Sequence, residues 1–276
     1  MSRIDQLFAE LRRQKRKAFM PFVTAGDPDL DFTADVIREL DAQGCSLCEV
    51  GIPYSDPIAD GPVIQASYTR ALAKKVKLDG IFAMLGKVAR DVKMPLVTMV
   101  SYAIIYRHGL AKYVADAKAA GVSGAIVPDL LVEEAGELAA LCKAADFSLI
   151  QLVTPTTPRE RAVQIARSST GFLYYVSVTG ITGERTQLPP SLIDNVGWLR
   201  TQTDLPICIG FGISQPEHVK LLAPVADGLI VGSAIVRRVA EAATRPRDAV
   251  LADVGKYATT LLEALGYLPI AGERGA

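Results

Sequence analysis

Eight short apolar runs, each followed by a helix-length amphipathic stretch, constrain this chain more than any other feature. The runs are Ala18–Thr24, Leu47–Ile52, Leu96–Val100, Gly124–Val127, Leu149–Val153, Phe172–Val176, Ile207–Gly210 and Gly228–Val231. The stretches between them carry helical spacing, as in Val36, Ile37 and Leu40, and again in Leu138, Leu141 and Cys142. Strands separated by helix-length connections pair in parallel, because a tight hairpin has no room for a helix. Strands buried on both faces read as continuous apolar runs, as these do. Eight such units close into a barrel. The rival is an open doubly wound sheet, whose dinucleotide fingerprint, G-x-G-x-x-G after the first strand, is absent: the chain there reads Thr24-Ala25-Gly26-Asp27-Pro28, and the count of eight favours the barrel. The expected fold is α/β: a single (β/α)8 TIM barrel with an extra N-terminal helix, the latter marked by Ile4, Leu7, Phe8 and Leu11.

At 276 residues, half of them apolar, the chain suffices for one large core and shows no linker or low-complexity tract, so residues 1–276 read as one domain. Lys plus Arg and Asp plus Glu are 30 each, which removes the basic excess a nucleic-acid binder needs. The one basic run, Arg12, Arg13, Lys15, Arg16 and Lys17, fits the C-terminal end of a helix, where the dipole favours cations. Cys45 and Cys48 form a C-x-x-C, but with no second pair and only two histidines, buried reduced thiols are expected rather than a metal site. The N-terminus has no signal-type apolar segment, and no run approaches the ~18 apolar residues that span a bilayer. A cytoplasmic protein without membrane contact is expected.

In such barrels the chemistry sits at the C-terminal ends of the strands. The second run reads Leu47-Cys48-Glu49-Val50-Gly51-Ile52. Alternation puts Leu47, Glu49 and Gly51 on one face. That face points into the barrel, since the outer face needs bulk to pack on helices. A carboxylate there is costly unless used, and burial favours its neutral, proton-donating form. A structural carboxylate bonded to an amide or water is the alternative. In the loop that follows, Asp56 and Asp60 could cap, form turns or bind metal. The sixth run leads into Gly180 and Gly183, the seventh ends at Gly210-Phe211-Gly212, and the eighth at Val231-Gly232-Ser233. Glycine turns ahead of helices let backbone amides approach an anion, and barrels bind phosphate with the loops after strands seven and eight. The stretch from Ser177 to Pro190 is placed to act as a lid.

The blocks PFVTAGDPD (21–29), CEVGIPYSDPIADGPVIQ (48–65), TPTTPRER (154–161), YYVSVTGITGER (174–185), GFGIS (210–214) and VGSAIV (231–236) together resemble the tryptophan synthase alpha subunit family. The resemblance implies aldol cleavage of indole-3-glycerol phosphate to indole and glyceraldehyde 3-phosphate. Under it, Glu49 matches the general acid–base and Asp60 the carboxylate on the indole N–H, with Tyr174 beside them. Phe22, Val100 and Phe211 fall on the indole pocket. Gly183, Gly212, Gly232 and Ser233 match the phosphate-binding backbone, and Thr182 the lid threonine. Pro53 and Asp56 fall in the loop that touches a beta subunit. The implied assembly has two alpha and two beta chains, with indole passed between sites and pyridoxal phosphate (PLP) in the beta subunit. No cofactor is implied in this chain.

The chain departs from the family at Ile104, where asparagine is common, and at Leu131, where a second proline is usual. Two other readings stand beside the lyase: a barrel subunit that chiefly activates a partner, and another phosphosugar-binding lyase or isomerase. Metal-dependent isomerases need several histidines and Schiff-base aldolases a lysine at a strand end, and the eight runs provide neither.

Overall fold

A computed structural model describes residues 2–57, 60–177, 190–210 and 212–267. The strands are β1 (Ala18–Thr24), β2 (Cys48–Gly51), β3 (Leu96–Met99), β4 (Val122–Ile126), β5 (Ser148–Ile150), β6 (Leu152–Val153), β7 (Leu173–Val176), β8 (Ile207–Gly210) and β9 (Gly228–Val231). All pair in parallel, in the order β5-β4-β3-β2-β1-β9-β8-β7-β6. β5 and β6 are two halves of one segment separated by Gln151. The sheet therefore begins and ends on the same strand and closes as the expected eight-stranded barrel.

The break at Gln151 has a local cause. Its backbone N–H donates to Ser169 Oγ (3.2 Å) instead of to a neighbouring strand, and its side-chain Nε2 donates to Ser168 Oγ (3.0 Å). Its carbonyl still accepts from Tyr174 N–H (3.1 Å), so the seam holds. The observed β1, β8 and β9 keep the bounds read from the sequence. β4 starts two residues earlier, at Val122, and the β3–β4 register shifts between Leu96 and Val97.

Apolar side chains form two layers, as alternation on a closed sheet requires. Cys48, Val50, Val23 and Leu229 pack outward against the helices. Met20, Leu47, Val97, Ile126, Ile150, Cys208 and Ile230 fill the interior. Helix α1 (Arg3–Arg13) adds Ile4, Phe8 and Leu11 to that interior group. A capping box starts α1: Ser2 Oγ accepts from Asp5 N–H (3.2 Å) and Asp5 Oδ2 accepts from Ser2 N–H (2.9 Å). Arg12 and Arg13 occupy its last turn, where the dipole favours them. The helix lies across the N-terminal ends of the strands. Ser148 Oγ, at the start of β5, donates to Ser2 Oγ (3.1 Å), and the Phe8 ring packs on Phe172 at 5.8 Å between centroids. With that end plugged, the opposite end is left for a site.

Replacing Phe8 by Ala opens a cavity between plug and barrel. The expected loss is about 3 kcal/mol of unfolding free energy in urea titration, with no change at the far end of the barrel.

Candidate active site at the C-terminal ends of the strands

β2 presents Glu49 to the barrel interior because Cys48 and Val50 belong to the outer apolar layer. Glu49 is fully buried, and neither carboxyl oxygen has a hydrogen-bond partner among the described residues. Burial, and secondarily the charge of Asp60, raise its pKa from 4.5 to about 8. Gly51, two residues on, makes room above it: a Cβ there would lie 2.4 Å from Phe22 Cζ and 2.8 Å from Tyr68 Oη.

Asp60 sits where the loop after β2 turns into helix α2 (Pro62–Ala73), which has proline at its first position. Its backbone is held at both ends: Asp60 N–H donates to Pro57 O (3.1 Å), and Asp60 O accepts from Gln65 Nε2 (2.8 Å). Burial raises its carboxyl from 3.8 to about 6. Near neutral pH one acid of this pair thus keeps its proton while the other is ionised.

Both carboxyls line one cavity of about 630 Å³. Phe22, Ile64, Met99, Ile213 and Ile230 supply apolar wall, and Tyr174 enters from β7. Burial pushes the Tyr174 phenol well above its ordinary range, so it stays neutral. Its hydroxyl fills the space over Gly210, where a Cβ would lie 2.3 Å away.

The far wall holds Gly212, Ser214, Gly232 and Ser233. Gly212 has φ +77°, the left-handed region that favours glycine. Gly232 leads into helix Ser233–Ala240; Ile235 and Val236 N–H both donate to Gly232 O (2.9 and 3.1 Å), which leaves the Ser233 and Ala234 N–H groups ahead of them without an intrahelical acceptor. An anion fits there, at a helix N-terminus behind glycine. His218 and Arg237 complete this wall.

The structure thus gathers Glu49, Asp60, Tyr174, Phe22, Gly212, Gly232 and Ser233 on one cavity. Val100 is placed elsewhere. It belongs to the outer layer, at 1 % exposure, and Met99 faces the cavity in its stead because the inward phase of β3 runs Val97, Met99. In the loop after β2, Asp56 is exposed, but Pro53 is buried and offers a partner no surface. Thr182, Gly183 and Phe211 lie outside the described residues, as do residues 178–189 of the expected lid. Met99 and Ile230 were within reach of the period-2 rule. His218 and Arg237 sit on helices at offsets that only a known helix start reveals.

The four cysteines are free and buried. No group of three or more His, Cys, Asp and Glu among the described residues can hold a metal ion, and no described helix is long and apolar enough to cross a membrane.

Glu49 also shapes stability. Its folded pKa exceeds the unfolded one, so its contribution is full below about 4.5 and is lost as pH rises through about 8. Glu49→Gln removes the ionisation. The variant is expected to be more stable than wild type at pH 9, with the gap narrowing towards pH 5, as read by denaturant unfolding at both values.

The family described as "Tryptophan synthase alpha chain" matches residues 8–264. A tryptophan synthase alpha chain of Rhodopirellula baltica is 62 % identical over 251 residues, covering 90 % of each chain. One from Geotalea daltonii is 45 % identical over 238 residues, 86 % of this chain and 90 % of that one. Among solved structures, tryptophan synthase subunit alpha of Legionella pneumophila superposes with a TM-score of 0.88 at 33 % identity, covering 97 % of this chain and all of that one. A chain of the tryptophan synthase complex of Pyrococcus furiosus superposes with a TM-score of 0.81 at 36 % identity, covering 90 % and 99 %. With the family spanning the barrel from α1 to its last helix, this chain belongs to the tryptophan synthase alpha chain family.

Proposed function

We propose that this chain cleaves indole-3-glycerol phosphate into indole and glyceraldehyde 3-phosphate, with Glu49 and Asp60 as the catalytic pair. The observation that carries the reading is the pair itself: two carboxyls of unlike proton affinity in one apolar cavity whose far wall suits a phosphate. Protonated Glu49 donates to C3 of the indole ring, which makes the ring an electron sink. Ionised Asp60 accepts the ring N–H and stabilises the positive charge there. The carbon–carbon bond breaks, its electron pair returns to the ring, and the side-chain hydroxyl becomes the aldehyde. The hydroxyl proton returns to the Glu49 carboxylate, so the acid is regenerated and protons balance. The neutral Tyr174 phenol packs beside the pair and holds the ring in place. Phe22 and Met99 flank the indole, and the backbone at Gly212, Gly232 and Ser233 takes the phosphate, with Thr182, Gly183 and Phe211 completing the subsites.

This chemistry needs only proton transfer and charge stabilisation, both supplied by side chains, so no cofactor is assigned to the chain. The partner is a beta subunit carrying PLP, in an assembly of two alpha and two beta chains to which indole is passed. The solved Pyrococcus furiosus relative is a tryptophan synthase complex, which supports the pairing. Asp56, exposed on the loop beside the cavity, is the partner contact; the buried Pro53 shapes that loop from within. The four thiols fit a reducing cytoplasm.

Indole release by the purified chain, alone and with the beta subunit, tests the reading; zero turnover in both conditions would leave a scaffold. Glu49→Gln is expected to lower kcat by about 10²–10⁴-fold with the fold retained, and Asp60→Asn to lower turnover with little loss of stability. Normal rates in either variant reassign that residue. The pH profile of kcat/KM is expected to fall above about 8, as Glu49 loses its proton, and below about 6, as Asp60 gains one. Co-elution with the beta subunit in gel filtration checks the assembly.

A further inference from the structure

The phosphate end of the cavity holds more than backbone amides. Its described lining contains two carboxyls, Glu49 and Asp60, and one permanent cation, Arg237. A phosphate monoester dianion in a cavity that also holds ionised Asp60 needs positive compensation, and the amides of glycine turns carry only partial charge.

Arg237 lies four residues after Ser233, one turn along the helix that starts at the glycine. Its neighbour Arg238 is used by the fold: it donates to Ala234 O (2.9 Å), pairs with Asp253 (3.7 Å) and stacks on Tyr257 (3.5 Å to the ring centroid). Arg237 makes no ion pair or hydrogen bond with another described residue and faces the cavity.

His218 is the second group. It is only 6 % exposed, and it lines the same wall. Its Nδ1 accepts from Ser214 N–H (3.3 Å), which places the proton of the neutral ring on Nε2. That Nε2–H is a donor without a partner among the described residues. The ring is buried, but this atom is not one of the sealed unpaired side-chain atoms of the interior, so it opens on the cavity within reach of a ligand.

We propose that His218 and Arg237 form the side-chain half of the anion subsite, His218 Nε2–H donating to the substrate's phosphate monoester and the Arg237 guanidinium neutralising it. The phosphate ester comes from the reading above, on which this inference rests. The Ser214 bond fixes the imidazole plane. Arg237, on the exposed rim, brings charge to the mouth and draws the anion in. Both act on binding rather than on the breaking bond.

The test uses the full chain and two probes, glycerol 3-phosphate and indole, titrated calorimetrically into wild type, Arg237→Gln, Arg237→Lys and His218→Asn. Asparagine retains an acceptor for Ser214 N–H and lacks the distal donor. Arg237→Gln and His218→Asn are each expected to weaken glycerol 3-phosphate about ten-fold, the loss of one charge-assisted hydrogen bond. Indole affinity is expected to stay within about two-fold, and Arg237→Lys to recover part of the loss. In turnover, KM for indole-3-glycerol phosphate is expected to rise by more than kcat falls. Equal weakening of both probes means a merely structural role and overturns the proposal, as does unchanged glycerol 3-phosphate affinity in both variants. Wild-type chain that binds glycerol 3-phosphate but releases no indole, with or without the beta subunit, overturns the lyase reading and leaves this inference standing.

Discussion

A carboxyl group held inside a closed parallel barrel, away from water and from any described hydrogen-bond donor, is the constraint on which the rest of the site depends. Ionising Glu49 there would cost several kcal/mol, so the proton stays on. That outcome needs the barrel to be sealed on every side but one. The seam across the Gln151 break keeps the sheet continuous, α1 closes the lower end, and the outer apolar layer keeps water from between the strands. At the upper end Gly51 and Gly210 leave their side-chain volume to Phe22, Tyr68 and Tyr174, and Phe22 and Tyr174 wall the cavity there. A sealed floor and a cavity above make the same residue a weak enough acid to keep its proton and reachable enough to give it away.

The second carboxyl shows how little displacement separates two roles. Asp60 lies on a loop, half-buried, with its main chain tied to Pro57 and Gln65. Partial burial lifts its pKa to about 6, two units short of its neighbour. The division of labour rests on depth: the strand position is dry, the loop position is not. Proline at 62 and the start of α2 fix that depth by ending the loop where the helix begins.

Much of this was legible in the chain. Strands buried on both faces leave continuous apolar runs, and the first, seventh and eighth runs have the bounds of β1, β8 and β9. Period-2 alternation placed Glu49 inward, and the same rule carried along β3 would have chosen Met99 over Val100, which family likeness alone had put on the pocket. The break in the fifth strand was hidden, because it depends on Ser169 reaching back across 18 residues to the Gln151 amide. The partner-contact reading of Pro53 came from family likeness, and loop composition is silent about which side chains fold under, as Pro53 does. His218 and Arg237 escaped notice because a helical offset has meaning only once the first helical residue is known, and boundaries are what sequence reads least well.

The plug helix carries a temporal consequence. Residues 2–13 are made before everything they touch: Arg3 donates to Lys93 O, Ser2 accepts from Ser148, and Phe8 stacks on Phe172. Its amphipathic face therefore waits, unburied, while most of the barrel is synthesised. Its seat is built from segments as far apart as Lys93 and Phe172, and its docking gives the assembled strands a bottom.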